Sequence, residues 1–175
     1  HIMLQENVHW AVYDTKGDKF ITDFSYHYDN WITLPYSFDD TLSIKAKLKG
    51  EDFFSLINLG INKAIVKGDA YEDFGYYIAN NRAWIRQDAK YGFVDDFGNL
   101  VIEPIYDEIT DFIFGVAGVR IDNEIGYINK DGKIIVELAP YDEELTLEHY
   151  PDESIYHGYG NLYFDINGNI IYQDH

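Results

Sequence analysis

The stretch KYGFVDDFGNLVIEPIYD, residues 90–107, is followed 34 positions later by EIGYINKDGKIIVELAPYD, residues 124–142. Tyr91, Gly92, Phe93, Val94, Asp95, Gly98, Asn99, Val101 and Ile102 fall over Ile125, Gly126, Tyr127, Ile128, Asn129, Gly132, Lys133, Ile135 and Val136. The same offset places Ala83, Ile85 and Arg86 over Ala117, Val119 and Arg120. A constant period of this size marks a small structural unit that cannot bury its apolar face alone and stacks on its own copies. Two weaker copies, both lacking the first glycine, flank the pair: Asn161 to Ile171, and Trp10 to Gly17. The chain is therefore read as one domain, 1–175, with repeat-like units at about 8–21, 76–109, 110–142 and 159–172.

Each copy has the chemistry of a hairpin. An Asp or Asn three places before Gly can bond its side chain to the turn backbone, the Gly supplies a positive φ, and the flanking aromatic and β-branched residues suit pleated strands. Asp14, Asp95, Asn129 and Asp165 are turn residues on this reading. Gly92 and Gly126 leave room for the close approach of a neighbouring strand or ring.

The run of a small apolar residue, Lys-aromatic-Gly-aromatic-Val-Asp, Gly-Asn and Val-Ile-x-Pro-x-Tyr-Asp resembles the bacterial WG repeat, named for a Trp-Gly pair. The likeness is clearest over 83–142, fair at 159–172, poor at 10–21 and absent at about 22–75. This chain departs from the name-giving pair, with Tyr91 in one copy and Ile125 in the next, and the proline moves to Pro140. The resemblance implies an all-β array of antiparallel hairpins and says little about activity, because a fold does not fix a function. An open curved sheet and a barrel-like closure both fit two clear and two faint copies.

A different segment, 41–67, separates the first copy from the rest. Leu42, Ile44, Ala46 and Leu48 alternate with Ser43, Lys45, Lys47 and Lys49, as in a half-buried strand with a solvated basic side. Phe53, Leu56, Ile57, Ile61, Ala64 and Ile65 then recur at helical spacing behind Glu51 and Asp52, with Gly68 as a stop, so one helix is expected at about 51–66.

Charge narrows the partners. Thirty-one acids against 13 bases give a formal net charge of −18, which repels a nucleic-acid backbone. No apolar run is long enough to span a bilayer, so no membrane partner is expected, and the start, HIMLQENVHW, has neither part of a secretion signal, so the expected compartment is the cytoplasm. After Lys133 the chain has no Lys or Arg, yet Glu137, Asp142, Glu143, Glu144, Glu148, Asp152, Glu153, Asp165 and Asp174 lie there, interleaved with tyrosines. Disordered acidic tails are poor in aromatics, so this segment is expected to fold.

Adjacent acids such as Asp95-Asp96 point to opposite faces of a strand and make a poor acid–base pair. The DDFGN, NKDGK and DINGN turns lack the Gly-and-Glu spacing of a calcium loop. His149 and His157 lie near Asp152 and Glu153 but without a zinc spacing, Ser55 and Ser154 lack a nucleophile context, and the absence of cysteine removes thiol chemistry. No catalytic residue, metal or cofactor is assigned. Repeat-position aromatics (Tyr91, Phe93, Tyr127, Tyr163) are read as core, whereas Tyr141, Tyr150, Tyr156 and Tyr159 are the contact candidates among the acids.

The favoured reading is a non-catalytic acidic protein that binds a basic protein through Tyr141, Asp142, Glu143, Glu144, Glu148, Tyr150, Asp152 and Glu153, extended by Asp107, Glu108 and Asp111. Its sharpest form is an immunity protein that fills the cleft of a nucleic-acid-cleaving toxin with carboxylates in place of phosphates. Two other classes compete: an envelope scaffold binding glycan or peptide through repeated exposed aromatics, and a hydrolase using converging carboxylates.

Overall fold

The computed structural model describes residues 2–6, 9–14, 17–20, 26–27, 43–48, 50–140, 144–150 and 154–173. These form two compact units, one comprising 1–83 with 95–99 and the other 84–94 with 100–175. Among the described residues the regular structure is β, arranged in open antiparallel sheets, with one 3-10 turn at Tyr159–Asn161. Among the described residues the sheets are open and none closes, so the barrel-like alternative is not formed there. No helix in the described residues is long and apolar enough to cross a membrane.

In the first unit the strands are β1 (Ile2–Glu6), β2 (His9–Asp14), β3 (Lys19–Phe20), β4 (Tyr26–His27), β5 (Ser43–Leu48), β6 (Phe54–Asn58), β7 (Lys63–Lys67) and β8 (Asp73–Phe74). Their main sheet runs β1-β2-β4-β5-β6-β7, with β3 beside β2. The helix expected at 51–66 is absent: this stretch is the β6–β7 hairpin, paired Leu56 to Val66 and Asn58 to Lys63. The reason is burial on both faces. Ser55, Leu56, Ile57 and Asn58 are all buried, so the alternation that betrays a strand is lost and apolar residues on the two strands imitate a helical period. Gly60, a weakness for a helix, belongs to the turn, where its N–H donates to the Asn58 side chain at 2.9 Å.

β5 keeps its alternation in Ile44 and Ala46, both buried, but Lys45 is not on a solvated side. Its ammonium sits 4.1 Å from the Phe74 ring centroid and 4.5 Å from that of Tyr76, and it donates to the Phe74 carbonyl at 2.9 Å and to Asp73 at 3.2 Å. A cation over an aromatic face, with its protons satisfied, can leave bulk water at little cost.

The second unit repeats a three-strand motif. β9 (Arg82–Gln87), β10 (Lys90–Asp95) and β11 (Leu100–Tyr106) recur, each shifted by the sequence period, as β13 (Val116–Ile121), β14 (Glu124–Asn129) and β15 (Ile134–Pro140). β12 (Glu108–Ile109) lies between them and pairs with β13. The last sheet is β16 (Glu148–Tyr150), β17 (Ile155–His157), β18 (Tyr163–Phe164) and β19 (Ile170–Tyr172), in chain order. The first hairpin pairs Phe93 with Ile102 and Val94 with Leu100; the second pairs Tyr127 with Val136 and Ile128 with Ile134, with register shifts at the same places. A Cβ at Gly92 would collide with the Ile102 carbonyl and stand 2.7 Å from Pro104 N, which explains the glycine: the bulged partner strand crosses there.

Adjacent residues of β14 face different cores. Ile128 packs with Phe93, Ile102, Phe112 and Val119, whereas Tyr127 packs with Val116, Tyr156, Tyr159 and Phe164. Each apolar cluster thus joins one motif to the next, as the repeat period requires. Three hairpin tips are seated on the last strand of the hairpin before them: a Cβ at Gly98 would collide with the Ile65 carbonyl oxygen and one at Gly168 with the Ile135 carbonyl oxygen, while one at Gly132 would stand 3.2 Å from the Ile102 side chain. Tyr156 and Tyr159, expected as contact residues, are buried in the second cluster. The Tyr156 hydroxyl donates to the Phe114 carbonyl at 2.7 Å, and burial pushes this phenol up to about 12.

Candidate functional site

The turn acids have a local task. The Asp95 carboxylate accepts the N–H groups of Phe97 and Asn99 at 3.0 and 2.8 Å and the Asn99 side chain at 2.8 Å. Asn129 accepts from Asp131 and Lys133, and Asp165 repeats the Asp95 pattern with Asn167 and Asn169. Their oxygens close hairpins, and among the described residues no group of acids and histidines is placed to hold a metal.

A groove of about 400 Å³ opens on the second unit, between the β9–β10 hairpin and the 107–111 and 144–145 segments. Trp84 and Tyr91 form its aromatic side, edge to face at 5.6 Å between centroids and 71° between planes. Trp84 alternates with the buried Ala83 and Ile85 along β9, whereas Tyr91, two places before Phe93, is separated from it by the register shift in β10; Trp84 also packs against the cluster that holds Phe93. The Arg86 guanidinium lies 5.6 Å from the Tyr91 centroid. Ile109 and Leu145 add apolar wall.

Carboxylates form the opposite side. Asp107, Glu108, Asp111 and Glu144 all line this groove, although Glu144 is more than thirty positions from the others in the chain. Asp107 and Glu108 are neutralised internally. Asp107 meets Lys90 at 2.6 Å and accepts the Asp122 N–H at 2.8 Å; the Lys90 bond, with that N–H, holds its carboxyl below the ordinary range. Glu108 meets Arg120 Nε at 2.9 Å. Glu144 is exposed and Asp111 half-buried. Thr110 fixes the loop, accepting the Gly118 N–H at 2.9 Å and donating to the Asp111 carbonyl at 3.0 Å.

Glu148 and Tyr150 sit together on β16 and do not line the groove. The Tyr150 hydroxyl donates to Glu148 at 3.1 Å, and His157 Nδ1 lies 3.5 Å from the same carboxylate. Between them in sequence, His149 is held by the rings of Phe114 and Tyr156, at 4.3 and 4.6 Å. Its Nδ1 is buried without a hydrogen-bond partner among the described residues, and burial lowers its pKa. Tyr141, Asp142, Glu143, Asp152 and Glu153 lie outside the described residues.

Sequence reasoning did not single out Trp84, and read Tyr91 as core. A signal existed: at the repeat offset Trp84 falls over Gly118, so the largest side chain in one copy stands where the next copy has none.

No curated protein and no solved structure gives a significant match to the chain. Residues 91–124 and 125–143 match the family model of the WG containing repeat, which begins each copy at the residue preceding the glycine of β10 or β14.

Proposed function

We propose that this chain is a non-catalytic binding protein whose groove receives a cationic segment of a partner protein. The observation that supports it is the convergence of Glu144 and Asp111 on one groove with the Trp84–Tyr91 pair facing them. An aromatic side and a carboxylate side suit a Lys or Arg side chain, whose stem packs on rings while its charge meets acids. The net charge of −18 draws such a partner in from a distance. In its most specific form the partner is a basic, nucleic-acid-cleaving toxin, and the protein is its cytoplasmic inhibitor. Asp107 and Glu108 are already paired with Lys90 and Arg120, and the exposed Glu144 is the carboxylate that meets the incoming cation.

The test is retention of a basic partner by the immobilised chain across a salt series. Binding should fall as salt rises, and Glu144→Lys with Trp84→Ala should weaken it by about tenfold or more. Retention that ignores salt, or that survives the double substitution, removes this reading.

A further inference from the structure

Arg86 and Arg120 hold the same place in successive motifs, 34 positions apart on β9 and β13, and their surroundings differ. The Arg120 side chain is 12% exposed, and its Nε donates to the Glu108 carboxylate at 2.9 Å. One period before Glu108 the chain has Phe74, so Arg86 has no carboxylate at the corresponding position. Among the described residues the Arg86 Nε is buried without a hydrogen-bond partner, and the guanidinium lies 5.6 Å from the Tyr91 ring centroid. Burying a donor of a charged group unpaired is costly, and a carboxylate is the group that relieves the same cost at Arg120. Arg86 as a whole is only half-buried, which leaves it a side open to solvent.

Tyr91 ties this cation to the groove. The ring that carries Arg86 also lines the groove, with Trp84 against it. Trp84 and Arg86 are two places apart on β9 and leave it on the same face, away from the buried Ala83 and Ile85. A free anion is repelled by a net charge of −18, whereas a carboxylate on a segment whose cation is drawn to Glu144 is carried in with it.

We propose that Arg86 receives a carboxylate of the segment that enters the groove, so that the chain selects a partner segment bearing an acid close to its Lys or Arg. This rests on the cation-binding reading of the groove and adds a second charge to it. The planar guanidinium, held over a ring, presents its donors as a fork that matches the two oxygens of a carboxylate.

Nitrogen-15 NMR of the labelled chain, titrated with short acetylated peptides, tests the two readings separately. The Trp84 indole N–H reports the groove and the Arg86 Nε–H reports the second site. Peptides carrying Arg and Glu, joined by spacers of different length, are compared with twins in which Gln replaces Glu. At the best spacing the Arg–Glu peptide should move both signals and bind about tenfold more tightly than its twin, which should move the indole alone. Arg86→Gln should abolish that preference and leave the twin's affinity as in the parent; Arg86→Lys should restore part of it, because an ammonium keeps the charge without the fork. Equal affinity of the two peptides at every spacing, with the indole responding, overturns the inference and leaves the groove reading standing. An indole that no cationic peptide moves overturns both. A preference that survives Arg86→Gln, or an Arg86 signal moved as far by free acetate, which marks an adventitious ion only, also overturns the inference.

Discussion

The Tyr127 hydroxyl accepts the backbone N–H of Tyr159 at 2.7 Å and donates to the Thr146 carbonyl at 2.8 Å. One repeat-position ring thereby orders the turn that opens the last motif and the segment leading to β16. A Cβ at Gly158 would collide with that hydroxyl, so the glycine is required by the ring beside it. Tyr127→Phe keeps the packing but leaves the buried Tyr159 N–H without an acceptor. The expected loss is about 1–3 kcal/mol in chemical denaturation, with little change in the denaturant slope.

Gly92→Ala should destabilise more than Gly126→Ala. Around Gly92 the three nearest atoms are all backbone, including Glu103 C at 2.8 Å, and cannot turn aside. Around Gly126 one of the three is the Leu138 side chain at 3.1 Å, which can. Overpacking of this kind costs about 1–3 kcal/mol, and paired melts of the two variants give the order.

Asp95 and Asp165 should set part of the acid limit of stability. Burial raises the Asp95 pKa, but the Asn99 side chain and the backbone N–H groups of Asn99, Phe97 and Gly98 outweigh it and leave a net lowering. For Asp165 the Asn169 side chain and backbone dominate, again downward. A depressed folded value means that the contribution is present above the unfolded pKa, near 4, and is lost as pH falls through the folded one. The second copy has Asn129 at this position, so Asp95→Asn with Asp165→Asn should keep the turns and flatten the acid limb of a melting-temperature profile.

His149 should add a second slope at higher pH. Burial between Phe114 and Tyr156 lowers its folded pKa. Its share of stability is therefore complete above the unfolded value, near 6.5, and disappears as pH falls through the lowered folded value. His149→Phe preserves a ring in the stack and removes the titration. Melts between neutral and mildly acidic pH should diverge for the parent and converge for the variant.

The repeat was legible because a hairpin leaves its turn chemistry in the sequence. The strands at 82–106 and 116–140 coincide under the period, and Asp95, Asn129 and Asp165 close turns as their spacing implies. The β6–β7 hairpin was illegible for the opposite reason: its glycine is two places after Asn58, not three, and both faces of β6 are buried. The groove was half legible. Asp107, Glu108, Asp111 and Glu144 were readable as an acidic set, but nothing in the chain says that Lys90 and Arg120 answer two of them, because ion pairs depend on cross-strand proximity. Tyr156 and Tyr159 look surface-bound among acids, yet a hydroxyl that reaches a carbonyl and a ring stacked on its neighbour let tyrosine go inside.

The seat under each tip glycine is built from main-chain or core atoms and a missing side chain, so it asks nothing of the two spacer residues before the glycine. They are Asp96-Phe97 in one copy, Lys130-Asp131 in the next and Ile166-Asn167 in the last. A duplicated cassette can therefore be spliced in without inventing a new joint, and its spacers are then at liberty to drift: one inward grammar permits as many outward vocabularies as there are copies.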